Sequence, residues 1–178
     1  YPMFRDLQRE QTVFTGIAAH RSFGANLAFR GQTLDGQGML VSGSYFPVLG
    51  LQPALGRLLG PEDDRTFGGH FVTVLSHAYW RVRFDASPDV VGETLVVNGQ
   101  PMTIVGVAPP GFRGTTLGRQ PEVFVPITMH GLMVPMWNDR FVEDRRAYWI
   151  YLFARLKDGV SIEQASAERI VGDLRSAD

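Results

Sequence analysis

The side chains of this 178-residue sequence that could support catalysis or metal binding are four histidines, a serine–histidine pair and an acidic run. The histidines share no spacing typical of metal ligands; they are His20, His70, His77 and His130. Ser76 directly precedes His77, so a nucleophile and its base are one interpretation. Adjacent side chains at a helix start point in different directions, however, and a serine there satisfies a free backbone N–H. We therefore predict that Ser76 caps a helix over residues 77–84.

The acidic run Glu62-Asp63-Asp64 lies in a glycine-rich segment, residues 56–70. Its carboxylates are hard oxygen ligands of the kind calcium prefers, but the run lacks the spaced ligands of a calcium loop. We predict a solvated connector. Four arginines could bind phosphate or carboxylate groups, although surface salt bridges are the simpler expectation; they are Arg81, Arg83, Arg145 and Arg146.

Motifs of several enzyme classes are missing from the sequence. The only lysine, Lys157, is followed by Asp158, which excludes a P-loop nucleotide site in this segment. The sequence has no G-x-G-x-x-G, H-E-x-x-H or G-x-S-x-G motif, and no cysteine that could act as a nucleophile or thiolate ligand. We expect no cofactor in this segment and no enzymatic activity. A small hydrolase that uses Ser76, His77 or the acidic run is the least favoured alternative.

Composition restricts the class of protein further. The chain has 17 basic and 18 acidic residues, a net charge of −1, which argues against a nucleic-acid binder. Its 20 glycines and 11 prolines are scattered among apolar runs and predict many turns between short elements. No apolar stretch reaches the roughly 18 residues of a membrane span, and no signal peptide is recognisable. Because a helix is predicted at each end, we interpret the chain as a piece of a longer protein.

Apolar periodicity and capping residues predict four helices. The first covers residues 1–20, where Phe4, Leu7, Phe14 and Ala18 would form one apolar stripe. A short helix, Tyr45–Leu49, should stop at Gly50. After the helix capped by Ser76, the last one covers residues 161–178 and begins with a capping box, Ser161-Ile162-Glu163-Gln164.

β-Branched runs predict the strands. Two strands are expected at residues 22–29 and 39–42, separated by a polar turn at 35–38, and further strands are expected at 71–75, 123–127 and 148–156. The strongest local signal is Asn98-Gly99 between the runs 94–97 and 102–107. Asn-Gly tolerates the positive φ angles of a type I′ turn, so this segment predicts a hairpin.

A methionine- and tryptophan-rich stretch, residues 129–137, is the candidate contact surface for a partner or an apolar substrate. Such side chains adapt to varied apolar surfaces. The residues in question are Met129, Leu132, Met133, Met136 and Trp137. The alternative is that they pack under a long loop.

Seven stretches, taken in order and at these distances, resemble the extracytoplasmic core domain of MacB-type ABC transporter permeases, above all the orphan-permease group. They are VSGSYFPVLG at 41–50, PALGR at 53–57, VLSHAYW at 74–80, VGETL at 91–95, NG at 98–99, VGVAPPGFRG at 105–114 and RLKDGVS at 155–161.

The resemblance implies an α+β fold with two parts. A porter-like α/β subdomain would be built from both chain ends, residues 1–57 and 148–178, and a smaller β-rich subdomain, residues 58–147, would be inserted between them. One transmembrane helix would precede the domain and three would follow it. The domain would therefore be extracytoplasmic (periplasmic), in an inner-membrane protein.

The resemblance also implies a function. A non-catalytic periplasmic domain would transmit ATP-driven motion and dock a partner or substrate during export, while ATP binds a separate cytoplasmic ATPase domain or subunit. The implied partners are that ATPase, reached through the flanking membrane helices, a second permease copy and a periplasmic adaptor protein; nucleic acid is not expected. The alternative from another class is a secreted or surface ligand-binding module without a transporter.

Overall fold

The computed structural model describes residues 1–136, 144 and 147–167. The elements, in chain order, are α1 (Pro2–Glu10), β1 (Phe14–Phe29), β2 (Gln32–Val41), α2 (Tyr45–Leu49), β3 (Leu55–Gly56), β4 (Val72–Leu75), α3 (His77–Arg83), β5 (Thr94–Val97), β6 (Gln100–Val107), β7 (Val123–Pro126), α4 (His130–Met133), β8 (Tyr151–Leu156) and α5 (Ile162–Ala167). Short 3-10 turns lie at Pro61–Asp64, Pro88–Val90 and Ile127–Met129. The mixture of helices and strands confirms the predicted α+β class.

The helix predicted over residues 1–20 is shorter in the structure. It ends at Glu10, and the chain turns into the 16-residue strand β1, so Phe14 and Ala18 belong to a strand. Gln11 is already extended, with φ −68° and ψ 144°. The apolar spacing fitted a helix by coincidence, and the β-branched residues at positions 12, 13, 15 and 17 favour the strand.

The predicted turn at residues 35–38 is also wrong. β1 and β2 pair without interruption from His20↔Val41 to Phe29↔Gln32, and the turn is at Arg30-Gly31, where φ is 48° and 77°. The glycine at 38 has a packing reason, since a Cβ there would lie 2.2 Å from the ring of its cross-strand partner Phe23. Glycine in this strand therefore makes room for an aromatic ring.

One eight-stranded sheet organises the domain, in the order β2-β7-β4-β6-β5-β1-β8 with β3 on β6. Because β2 also pairs with β1, the strands β1, β2, β7, β4, β6 and β5 form a closed ring. Two pairings, β2–β7 and β4–β6, are parallel, and the other pairings are antiparallel. Strands from both predicted parts of the chain share this sheet, and the division at 57/58 and 147/148 stays a prediction.

Strand alternation splits the core into two clusters. Successive strand residues point to opposite faces, so Leu40 and Leu75 join one cluster while Met39, Val74 and Phe124 join the other. The helix α2 covers the second cluster. Its Tyr45 and Phe46 rings lie 6.3 and 5.3 Å from the ring of Phe124.

The remaining local predictions, which depend on helix caps and on the Asn98-Gly99 turn, are confirmed. Asn98 and Gly99 have φ of 47° and 80° between β5 and β6, as a type I′ hairpin requires. Gly50 ends α2 in the left-handed conformation, with φ 69°. At α5 the reciprocal bonds of the capping box join Ser161 and Gln164, at 2.8 and 3.1 Å. The predicted extension of this helix over residues 168–178 lies outside the described residues.

Candidate functional site: the junction of α1 with the sheet

Asp64 joins α1 to two loops of the sheet. Its carboxylate Oδ2 accepts a hydrogen bond from Tyr1 Oη at 2.7 Å and one from Gly43 N at 3.0 Å. Arg5 lies 3.5 Å from the same oxygen and donates to the Asp64 carbonyl oxygen. Asp64 is only 3% exposed. Three segments that are distant in sequence therefore meet at one buried carboxylate.

Burial controls the protonation of Asp64. Removal from water raises the pKa of this carboxyl above its ordinary value, and the hydrogen bonds from Gly43 and Tyr1 oppose that rise only in part. Its other oxygen, Oδ1, is buried and accepts no hydrogen bond from the described residues. Burial also raises the pKa of Tyr1, so its phenol remains a hydrogen-bond donor at neutral pH.

Asp63 is held separately from its neighbour. Arg57 Nη1 and Nη2 donate to its two oxygens at 2.6 and 2.9 Å, and Gly60 N donates at 2.9 Å. Burial alone would raise the pKa of Asp63, but the hydrogen bonds from Arg57 and Gly60 outweigh it and lower the pKa. The prediction of a solvated acidic connector is thus wrong for Asp63 and Asp64, because both find partners that the local sequence does not reveal.

Aromatic rings form the apolar half of the junction. The Tyr1 ring lies 5.5 Å from Phe4, 5.9 Å from Phe67 and 6.4 Å from Trp149. The guanidinium of Arg5 lies 5.1 Å from the Tyr1 ring centre, within range of a cation–π contact. Phe4 and Trp149 are each 1% exposed. The inner face of α1 is therefore part of the main core.

A chain of polar contacts fixes the other end of α1. Gln8 Nε2 donates to Ser44 Oγ at 3.0 Å and to Ile17 O at 3.2 Å, and Ser44 Oγ donates to Ile17 O at 2.7 Å. Ser42 Oγ lies 2.9 Å from Ser44 Oγ and accepts from Ala19 N at 3.0 Å. Together with Asp64, this chain attaches both ends of α1 to the sheet.

The serine–histidine pair does not form a nucleophile and base. Ser76 Oγ accepts a hydrogen bond from Tyr79 N at 3.2 Å, which confirms its predicted role as a helix cap. The His77 ring instead lies 5.4 Å from Trp80. Arg81 and Arg83 lie in the last turn of α3, whereas Arg145 and Arg146 fall outside the described residues.

The histidines lie in separate environments. His20 packs between the rings of Tyr45 and Tyr151, and burial lowers its pKa. His70 Nε2 accepts from the backbone at positions 65 and 66, and His130 lies 5.1 Å from Trp149. In the part of the chain that the structure describes, no three His, Asp or Glu side chains converge as metal ligands.

The candidate contact stretch 129–137 divides by exposure. Met129 and Met133 are 0% and 2% exposed and belong to the main core, and Leu132 packs against that core. Met136 is 88% exposed, and Trp137 lies outside the described residues. Among the described members, therefore, Met136 is the one whose surface is available to a partner.

The residues of the junction were not predicted as a site. Asp64 and Tyr1 are 63 positions apart, and neither occurs in a recognisable motif. The one local signal is Pro61 at the start of a 3-10 turn, which indicates a fixed connector rather than a flexible one.

A comparison with known protein families identifies the family of this chain. Residues 1–169 match the profile of the MacB-like periplasmic core domain. The chain belongs to this family. The resemblance to the core domain of MacB-type permeases is thus confirmed, while the orphan-permease group stays a prediction. The MacB-like domain is the extracytoplasmic part of an ABC transporter permease. No curated protein matches the chain.

Solved structures share the fold at low sequence identity. The periplasmic region of MacB from Actinobacillus actinomycetemcomitans is 17% identical, with a TM-score of 0.73 over 98% of this chain and 72% of that one. The extracellular domain of the transporter YknZ from Gram-positive bacteria is 16% identical, with a TM-score of 0.66 over 93% and 75%. A permease domain from Porphyromonas gingivalis is 18% identical, with a TM-score of 0.63 over 98% and 67%.

No helix of the MacB-like domain, within the described residues, is long and apolar enough to cross a bilayer.

Proposed function

We propose that this MacB-like domain is a non-catalytic transmitter, which carries ATP-driven motion from the membrane into the periplasm and docks a partner or substrate during export. The observation that carries the proposal is the attachment of α1 to the sheet at both of its ends. Family membership places the domain in an ABC permease, and such permeases work with ATPases. Membership of this family favours the role of transmitter over that of a secreted binding module.

The junction supports transmission because side-chain contacts tie α1 to the sheet near both of its ends. Tyr1 and Arg5 are tied to Asp64 near the start of α1, and Gln8 is tied to Ser44 near its end. A displacement applied to this 9-residue helix, about 13 Å long at 1.5 Å per residue, would move the sheet rather than bend a linker. In the proposed arrangement α1 continues from the first membrane helix, and the helix that starts at α5 leads to the next one.

The proposed partners follow from the same role. Nucleotide would bind the cytoplasmic ATPase and not this domain, whose only lysine is not part of a P-loop motif. Two copies of the permease would move against each other, and a periplasmic adaptor would dock on the moving domain. The small-hydrolase interpretation loses its best candidate, since the Ser76 hydroxyl caps a helix.

Distance measurements on the complete permease with its ATPase test the proposal. The domain has no cysteine, so Arg30→Cys introduces one labelling site in it, in the β1–β2 turn, where the arginine side chain is 73% exposed. Spin labels on two copies should report a distance distribution that changes when ATP is added. Asp64→Ala should reduce that change while ATP hydrolysis continues, because the junction is loosened and the ATPase is not.

The control is Arg9→Gln, which alters a 70% exposed side chain on the same helix without touching Asp64. It should leave the ATP-dependent distance change as in the unmodified protein. A distribution that is identical with and without ATP in the unmodified permease would contradict transmission. Micromolar ATP binding to the 178-residue chain would contradict the non-catalytic assignment.

A further inference from the structure

A cavity of about 440 Å³ opens between α3 and the loop that follows β6. Arg81 and Val82 line it from α3, and Phe112 and Arg113 line it from the loop. The two arginines come from segments more than 30 positions apart, so the fold and not the local sequence brings their charges to one concave surface. This cavity lies outside the α1 junction.

The charge of this cavity is one-sided. None of its ten lining residues is acidic, although the chain as a whole has a net charge of −1. Neither Arg81 nor Arg113 forms an ion pair with any of the residues that the structure describes. The acidic residue nearest to the lining in sequence, Glu122, is not one of the lining residues, and its carboxylate accepts a hydrogen bond from Gln37 N at 2.6 Å.

A second cavity shows what a balanced surface on this protein looks like. It measures about 300 Å³, and its arginines, Arg30 and Arg83, share the lining with Asp85, Asp89 and Glu93. Arg30 lies 3.5 Å from Glu93. The absence of carboxylates from the first cavity is therefore a property of that place and not of the protein's surface in general.

Apolar side chains accompany the two charges. Val82 is 87% exposed beside Arg81, and Phe112, half-buried against the second core cluster, lines the cavity from the loop. Guanidinium groups bind carboxylates through paired hydrogen bonds, and exposed apolar side chains beside them gain free energy when a partner covers them. A concave surface suits an extended chain, whereas a flat bilayer would reach protruding cations first.

We propose that this cavity binds an acidic peptide segment of a partner protein, with Arg81 and Arg113 pairing with its carboxylates and with Val82 and Phe112 in contact with a neighbouring apolar side chain. The inference rests on the docking part of the proposed function and specifies the chemistry of the partner. It does not depend on the transmission of motion, because binding is measured without the membrane or the ATPase.

The test measures how tightly the 178-residue chain binds a fluorescent peptide. The peptide consists of glycine and serine except for a central leucine with one aspartate on each side. Binding should weaken about tenfold or more in the double variant Arg81→Gln/Arg113→Gln, as expected when charge-assisted hydrogen bonds are lost. The control variant Arg30→Gln/Arg65→Gln has the same change in net charge at other sites and should bind within about twofold of the unmodified chain. Equal melting temperatures would show that both variants are folded.

Variant peptides, inorganic phosphate and lipid vesicles show whether the cavity recognises the acidic peptide specifically. A peptide with asparagine in place of aspartate should bind at least about tenfold more weakly, and one with serine in place of leucine should also lose affinity. Equal binding of the asparagine peptide, or an unchanged affinity in the double arginine variant, would overturn the proposal. So would inorganic phosphate that binds as tightly as the peptide, or phosphatidylglycerol vesicles that bind through these arginines when the peptide does not.

Discussion

Replacing Asp64 with alanine removes a buried carboxylate that accepts hydrogen bonds from two separate segments. Tyr1 Oη and Gly43 N lie 2.7 and 3.0 Å from it, and in the variant both donors would stay buried without an acceptor. Each such group costs about 1–3 kcal/mol, so the free energy of unfolding should fall by about 2–6 kcal/mol. Such a loss is a large part of the roughly 5–15 kcal/mol that stabilises a typical domain.

Urea denaturation of the 178-residue chain measures this loss. Trp149, whose ring lies 6.4 Å from that of Tyr1, provides a fluorescence signal at the junction itself. Arg9→Gln is the matched control, because this arginine lies on the same helix, its side chain is 70% exposed, and its ion pair with Asp6 should be worth less than about 1 kcal/mol. The assignment of Asp64 as the centre of the junction would be refuted if Asp64→Ala lowered the free energy of unfolding by less than about 1 kcal/mol while the dependence on urea concentration stayed the same.

The same residue predicts a pH dependence. Because burial raises the pKa of Asp64 above 3.8, the part of its contribution to stability that depends on protonation is fully present below that pH and is lost as the pH rises through the folded-state value. The part that comes from the hydrogen bonds of Tyr1 and Gly43 is separate from this effect. Asp63 behaves oppositely. Burial raises its pKa, but the hydrogen bonds from Arg57 and Gly60 outweigh burial, so the pKa lies below 3.8. Its contribution to stability is therefore lost only as the pH falls below 3.8.

Two asparagine variants measure these opposite effects. From pH 7 toward pH 4, the unmodified chain should gain stability relative to Asp64→Asn. The unmodified chain should be more stable than Asp63→Asn at pH 7, and this difference in stability should shrink only below about pH 4. Identical pH profiles for the two variants would show that the two carboxyl groups are not held as described.

Five further substitutions test the fold and the contact surface. Ser76→Ala should lower the free energy of unfolding by about 1 kcal/mol through loss of the α3 cap, and any hydrolysis measured for the chain should be unchanged. Gly106→Ala would place a Cβ 2.1 Å from a backbone oxygen and should cost about 3 kcal/mol, while Gly24→Ala, with nothing within 4 Å, should stay within about 0.5 kcal/mol in thermal melting. Met133→Ser, at a 2% exposed site, should cost about 2–5 kcal/mol, whereas Met136→Ser, at an 88% exposed site, should leave the melting curve unchanged and reduce transport if the stretch contacts a partner.

Sequence patterns predicted the elements whose geometry depends on neighbours in the chain. The Asn98-Gly99 hairpin, the Ser76 cap and the Ser161–Gln164 capping box join groups only a few residues apart. The conformations they require are accessible to those residue types in any surroundings. The seven motif stretches were sufficient for the family and for its extracytoplasmic location, which the profile match over residues 1–169 confirms.

Errors occurred where distant residues decide the outcome. Phe14 and Ala18 fit the helical spacing of the first apolar stripe, yet residues 14–20 form a strand because β8, about 140 positions away, pairs with them. Gly38 resembled a turn residue, but its lack of a side chain makes room for Phe23 across the sheet. Neither partner can be recognised within a local window.

The sequence by itself determined the class of protein, the Asn98-Gly99 turn and the helix caps, and it contains neither a P-loop motif nor a cysteine; all of these follow from residue types and short spacings. The tertiary structure decided that Asp63 and Asp64 are buried, that α1 is attached at both ends, and that Arg81 and Arg113 line one cavity. Burial and the convergence of charges depend on which surfaces the closed ring of strands brings together. That arrangement results from the summed packing of the whole chain and not from any single segment.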